Sequence, residues 1–248
     1  MKILFIDIET KASVISAWGI RDITASLNQI ISRGKMICWS AKWKDNDDVI
    51  FDSDWTSTHR QMVKHIWKLL DEADIVCHYN GQAFDIKEIN RSFLLLGMPP
   101  PSPYKQLDLL RVIKRNFRFI SNKLDNVAQE LGIGEKLKHS GMDLWNAVEK
   151  KDADARQIMQ EYNEQDTLLL ELLYNKLESW LGGYINYNEF SEVSVCPTCG
   201  SSHIHKRGFK KTNTQTYQQY RCMDCGSWSR SNKSIKEKRK SDSIISIR

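Results

Sequence analysis

Residues 3–10 read ILFIDIET. Successive side chains of a strand point to opposite faces. Ile3, Phe5, Asp7 and Glu9 therefore fall on one side, and Leu4, Ile6 and Ile8 on the other. A charge followed by an apolar run can open a secretory signal, but here acids follow at once and no small-residue cleavage site appears, so the segment reads as a strand. Carboxylates set among Phe5, Ile6 and Ile8 are costly to bury unless they are paired or bind metal. An exposed strand face would also accommodate them.

Outward from this strand, residues 10–34 carry Trp18, Ile20, Ile23, Leu27, Ile30 and Ile31 without a usable period. Met36–Trp43 and residues 49–51 read as two further strands joined by the turn Asp45-Asn46-Asp47. Thr58 can cap a helix in which Met62, Val63, Ile66, Leu69 and Leu70 recur at helical spacing. Residues 75–79 form a short buried strand closed by Asn80-Gly81. Residues 84–96 form a helix with Ile86, Ile89, Phe93 and Leu96 inward, stopped by Gly97 and Pro99-Pro100-Pro101. Another element starts at 107–112, and 124–131 reads as a short helix capped by Ser121 or Asn122. A last long helix spans 154–181, capped by Asp152 and stopped by Gly182-Gly183. The order predicts a mixed α/β sheet with flanking helices.

Two further acids fall on these elements. Asp85 opens the second helix, where the helix dipole alone favours an acid. Tyr162 and Asp166 lie four apart on the last helix and share a face. Ile158, Met159 and Leu169 place that face inward, so Asp166 needs a partner: a metal, or a buried Arg or Lys. Asp108 and Asp125 read as helix-start residues rather than site residues.

The chain has 248 residues with 41% hydrophobic and 27% charged, an ordinary globular composition that excludes collagen-like and wholly disordered readings. No apolar run approaches the 18 residues of a spanning helix, so no membrane partner is expected. The formal net charge of +5 hides an asymmetry. Residues 196–248 carry 12 Lys/Arg against 3 Asp/Glu, and the rest of the chain 24 against 28. A basic end without an amphipathic apolar face points to nucleic acid. Cys38 and Cys77 sit inside apolar runs and read as buried thiols. The other four cysteines form Cys196-Pro-Thr-Cys199-Gly200 and Cys222-Met-Asp-Cys225-Gly226, two C-x-x-C pairs 22 residues apart. With no secretory signal, such pairs read as metal ligands rather than disulfides.

The three acidic stretches FIDIET (5–10), HYNGQAFDIKEIN (78–90) and YNEQD (162–166) resemble, in order and separation, the three exonuclease motifs of the DEDDy branch of the DnaQ-like 3′–5′ exonucleases, which have an RNase H fold. The likeness spans about residues 1–181. It is nearest to the proofreading domain of family-B DNA polymerases and its stand-alone phage and bacterial relatives. It implies a catalytic set of Asp7, Glu9, Asp85, Tyr162 and Asp166, with the four carboxylates holding two Mg²⁺ or Mn²⁺ ions. Asp7 would bridge the ions, Glu9 and Asp166 would complete the nucleophile side, and Asp85 would serve the leaving-group side. Tyr162 would orient the attacking water, since a phenol titrating near 10 is a poor base at neutral pH. Asn80 and Phe84 would lie against the substrate, although Phe84 also suits the core and Trp18 fits either place.

The cysteine segment resembles a zinc ribbon holding one Zn²⁺. Its second half, YQQYRCMDCG (217–226), is similar to ribbons of transposase-type DNA-binding proteins. Lys206, Arg207, Lys210, Lys211 and Arg221, with Arg230 and the rings of Tyr217, Tyr220 and Trp228, are candidates for phosphate and base contacts. A solvated face or a protein-docking ribbon is the alternative. The expected organisation is an RNase H-like α/β domain over 1–182, a linker over 183–195, a zinc ribbon over 196–230 and a basic, mobile tail over 231–248. The expected function is a two-metal 3′–5′ exonuclease releasing nucleoside 5′-monophosphates from single-stranded 3′ ends, DNA favoured. The alternatives are an RNA-processing 3′–5′ exoribonuclease, or a non-catalytic nucleic-acid-binding or recruiting protein. The resemblance also implies the cytoplasm of a bacterium or of a phage-infected bacterial cell.

Overall fold

A computed structural model of the chain describes residues 1–19 and 24–235. It divides into two compact units, one over Lys2–Tyr174 and one from Asn175 onward. Ile20, Ile23 and most of the expected tail, residues 236–248, lie outside the described residues.

The first unit is built on β1 (Ile3–Thr10). A small ribbon of β2 (Val14–Ile15) and β3 (Ile30–Ser32) follows, within the stretch that has no sequence period. Then come β4 (Met36–Trp43), β5 (Val49–Ser53), α1 (His59–Glu72), β6 (Ile75–His78), α2 (Asp85–Leu95) and β7 (Lys105–Asp108). The unit continues through α3 (Leu109–Asn116), α4 (Leu124–Glu130), α5 (Met142–Glu149) and α6 (Ala153–Leu177), the last running past the boundary. The main sheet has the order β5-β4-β1-β6-β7. Its β1, β4 and β5 are antiparallel neighbours, whereas β1, β6 and β7 run parallel.

The central position of β1 explains its composition. Leu4, Ile6 and Ile8 enter a core with Trp39, Met62, Val63, Ile66, Ile86, Ile89 and Phe93 under α1 and α2. On the other side, Phe5 meets the ring of Tyr174 edge-on at 5.3 Å. Cys38 and Cys77 are both buried. The long helix α6 is fixed against β4 by polar contacts. The Ser40 hydroxyl donates to the Asn163 carbonyl at 2.7 Å, and the buried Lys42 ammonium pairs with Glu171 at 2.6 Å.

Local signals set most boundaries. Thr58 and Gln61 form a capping box at α1, Asp108 caps α3, and Asp152 accepts the Ala155 amide at 2.8 Å at the start of α6. Two expectations differ. Lys123, not Ser121 or Asn122, is the N-cap of α4, with no side-chain cap. Ile158 is 44% exposed, so the inward face of α6 is carried by Met159, Tyr162 and Leu169 instead.

In the second unit, β8 (Ile204–Lys211), β9 (Thr216–Cys222) and β10 (Trp228–Ser234) form an antiparallel sheet with β9 in the middle. The third strand thus takes in Ser231–Ser234, placed in the tail by sequence. Part of the expected linker is folded as well. Tyr187–Phe190 form a 3₁₀ turn, and the Tyr187 amide donates to the Pro197 carbonyl at 2.9 Å. Gly200 has φ +78°, and a Cβ there would lie 2.8 Å from the Tyr187 ring. Both demands require glycine.

Candidate functional site

The acidic site forms where β1, α2 and α6 meet. Asp7 and Glu9 come from the same face of β1, as alternation requires, and Asp166 comes from α6. One carboxylate oxygen of each lies within 4.8 Å of the others, a spacing at which one cation can bind all three. Asp85 lies outside this triad, at the first position of α2, but is close enough for its charge to act on Asp7 and Glu9. Tyr162 lies one turn before Asp166, its ring packed against His139 at 4.8 Å and Trp145 at 6.3 Å between centroids.

Two residues absent from the sequence-derived set complete the arrangement. Asn163 is fully buried and donates through Nδ2 to Asp7 Oδ2 at 2.7 Å, while its backbone carbonyl accepts from the Ser40 hydroxyl. Ser40 pairs directly with Asp7 in the β1–β4 register, so the bonds linking Asp7, Asn163 and Ser40 fix α6 over the acids. Asn163 stands three before Asp166 on a helix, and that spacing was legible. Lys136 was not legible. It sits between α4 and α5 in a stretch without helix or strand. Its Nζ donates to Asp166 Oδ2 at 2.5 Å and to Tyr162 Oη at 3.1 Å. Asp125 holds that stretch by accepting the Lys136 amide at 2.8 Å. The inward Asp166 thus has a basic partner, half-buried rather than buried, to offset its burial.

Lys136 does not balance the site. Burial first, then the charges of Asp166, Glu9 and Asp85, hold the Asp7 carboxyl well above its ordinary range. Burial and then Asp166 push Glu9 up to about 8. Burial raises Asp85 to about 6, with the backbone amides of Asp85 and Ile8 partly opposing it. Asp166 is also raised, by burial, against the pull of Lys136. Burial and then Asp166 lift Tyr162 to about 12, so its phenol stays protonated at neutral pH. One Asp166 oxygen, Oδ1, is buried without a hydrogen-bond partner. Clustered carboxylates that repel one another, with an unmatched acceptor among them, fit a divalent cation with a preference for oxygen ligands.

The other predicted positions separate. Asn80 occupies a left-handed turn (φ +64°) after β6, its amide donating to Asp108 Oδ1 at 2.9 Å. Phe84 is 52% exposed at the N-cap of α2, so it is not a core residue, and Trp18 is fully exposed. In the second unit, the sulfurs of Cys196, Cys199, Cys222 and Cys225 form one group. Cys196–Cys225 and Cys199–Cys222 sulfur distances are both 3.7 Å, close to the roughly 3.8 Å edge of a tetrahedron with Zn–S bonds of about 2.3 Å, and far too long for disulfides. The donor set fits Zn²⁺. Lys206, Lys210, Lys211 and Arg221 are exposed on β8 and β9, with Arg207 beside the β8 bulge at Gly208.

No helix among the described residues is long and apolar enough to cross a membrane. A search of curated proteins finds no match. Among solved structures, the family B DNA polymerase from the hyperthermophilic archaeon Pyrobaculum calidifontis is similar, with a TM-score of 0.55 and 17% identity. The likeness covers 73% of this chain and 25% of that one, so the chain spans about a quarter of the polymerase's length. A family profile described as RNase_H superfamily matches residues 31–178, which include Asp85, Tyr162, Asp166 and Lys136 and leave out β1 with Asp7 and Glu9. With the mixed five-stranded sheet, the acids gathered on it and a match over more than half of its length, this chain belongs to the RNase_H superfamily.

Proposed function

We propose that the chain is a metal-dependent 3′–5′ exonuclease that hydrolyses single-stranded nucleic acid, DNA favoured, to nucleoside 5′-monophosphates. The observation carrying this reading is the convergence of Asp7, Glu9 and Asp166 from elements far apart in sequence, with Asp85 and Tyr162 beside them. Asp7, Glu9 and Asp166 would hold one Mg²⁺ or Mn²⁺, and Asp7 with Asp85 a second. Two such ions, when bound, supply a deprotonated water and neutralise charge on the leaving 3′-oxygen.

The protein's own groups have separate tasks. Tyr162, held protonated, donates or accepts a hydrogen bond and so orients water rather than deprotonating it. Asn163 keeps the Asp7 carboxylate in one rotamer. Lys136 holds the Tyr162 hydroxyl and Asp166 in a common geometry and partly offsets the local negative charge. The half-exposed Phe84, next to Asp85, offers an aromatic surface to a terminal base, with Asn80 in the turn before it. The four-cysteine module would hold one Zn²⁺, and basic residues of its sheet, Lys210 and Arg221 among them, would strengthen nucleic-acid binding.

The deciding experiment follows Mg²⁺-dependent release of mononucleotides from matched single-stranded DNA and RNA, each labelled at the 3′ end. Wild-type protein should release them one at a time. Asp7→Ala should reduce the rate by more than roughly 10³-fold, since the ligands to both ions are lost. Faster digestion of RNA would replace the DNA preference with exoribonuclease activity. No release from either strand would leave a non-catalytic nucleic-acid-binding protein.

A further inference from the structure

The three strands of the cysteine module carry no Asp or Glu. Their sequences are IHKRGFKK, TYQQYRC and WSRSNKS. The register divides their basic residues between two faces. Arg221 stands opposite both His205 on β8 and Trp228 on β10, Lys210 opposite Tyr217, and Arg230 opposite Gln219. Tyr217, Gln219 and Arg221 alternate on β9, so these partners share one face. Lys206 pairs with Tyr220 and Lys211 with Thr216, which places both lysines on the other face.

The first face is pre-arranged. The Arg221 guanidinium lies over the Trp228 ring at 5.8 Å, and that of Arg230 over the Tyr217 ring at 3.9 Å. Among the described residues, neither arginine has an acidic partner in an ion pair. A ring restricts the side chain without occupying the guanidinium N–H groups as a carboxylate would; Arg230 Nη1 donates to the Ser231 carbonyl at 3.1 Å, and its other N–H groups can still meet a ligand. The acid nearest in sequence, Asp224, lies in the second knuckle and is engaged by Ser201 and His203. Arg221 and Arg230 sit on adjacent strands one diagonal step apart, about 7–8 Å between backbones, so the two forks can reach neighbouring groups on one chain. Trp228 remains 54% exposed beside them.

We infer that the Arg221–Trp228 and Arg230–Tyr217 face, extended by Lys210, binds the phosphate backbone of a single nucleic-acid strand, and that the Lys206–Lys211 face does not. This refines the nucleic-acid role proposed for the module and rests on no part of the cleavage reaction. Ring-held arginines meet phosphate oxygens in a bidentate fashion, and the exposed indole edge gives an adjacent base an apolar surface.

The test is fluorescence anisotropy of a labelled oligothymidylate with full-length zinc-loaded protein carrying Asp7→Ala, titrated across a salt series without Mg²⁺. Arg221→Gln/Arg230→Gln should weaken binding roughly 20-fold near 0.1 M salt and lower the salt slope by about 1.4, the amount expected for two phosphate contacts on a single strand. Lys206→Gln/Lys211→Gln should change affinity less than about twofold. Zinc content equal to that of the parent shows that each variant remains folded at the cysteines. Equal losses from the two pairs, or none from the arginine pair, would overturn the assignment. The binding comparison is independent of turnover, so failure of the nuclease reading would appear separately, as absent cleavage by the protein with Asp7 intact.

Discussion

At the scale of single residues, the candidate site holds more negative charge than it balances. Four carboxylates share a partly buried space with Lys136 as their cationic partner, and Tyr162 is raised to about 12 by burial and by Asp166. Tyr162→Phe should therefore lower the cleavage rate roughly 10²-fold through loss of one orienting hydrogen bond, leaving Mg²⁺ affinity unchanged. An unchanged rate would assign water positioning elsewhere. The raised carboxyls also set a pH dependence. In the folded, divalent-free protein Glu9 titrates near 8 and Asp85 near 6, whereas unfolded carboxyls titrate near 4. Between those values the folded state binds more protons than the unfolded one, so stability falls as pH rises from about 4 to about 8. Thermal unfolding in divalent-free buffer should show the midpoint declining over that window. Added Mg²⁺ should raise it more at pH 8 than at pH 5, where protons compete for the same oxygens. A flat or opposite dependence would contradict the clustered-carboxylate electrostatics.

At the scale of elements, three local devices deliver the four acids. Alternation along β1 aims Asp7 and Glu9, the Asn163–Ser40 contact fixes α6, and the turn after β6 aims Asp85. Gly81 is the critical position of that turn. A Cβ there would lie 2.6 Å from Cγ of the buried His78, whose Nδ1 already accepts the Gly81 amide at 3.1 Å. The Gly81 carbonyl in turn accepts the amides of Phe84 and Ile86 and so starts α2. Gly81→Ala should cost about 1–3 kcal/mol from overpacking and should lower turnover by displacing Asp85. Denaturant unfolding and steady-state rates measured on one preparation would check both effects. Wild-type stability in the variant would mean that the turn yields without disturbing the ring.

At the scale of the whole molecule, the chain is an acidic unit followed by a basic one, each compact in itself. The second has a small apolar content, with Phe209 and Trp228 largely exposed, so its folding should depend on its metal. Metal analysis should find one Zn²⁺ per chain. Cys222→Ser/Cys225→Ser should lose it, together with the second unit's resistance to proteolysis. The first unit has its own core and should keep its thermal transition in that variant. Freshly purified wild type without zinc would refute the four-thiolate site.

Much of this was written in the sequence, because period and spacing are local. Alternation gave β1 and the shared face of Asp7 and Glu9, helical spacing gave Tyr162 with Asp166, and the paired C-x-x-C knuckles gave the sulfur cluster. Residues 10–34 stayed opaque because strands of two and three residues are too short to show a period. Phe84 misled as a possible core residue because apolar character does not reveal which way a capping position faces. Only the tertiary structure brought Lys136 to Asp166 across 30 positions, from a stretch with no regular structure and hence no pattern to read. Only strand register could divide the basic residues of the cysteine module into two faces, because the bulge between Lys206 and Phe209 shifts the pairing by one residue and breaks the simple alternation.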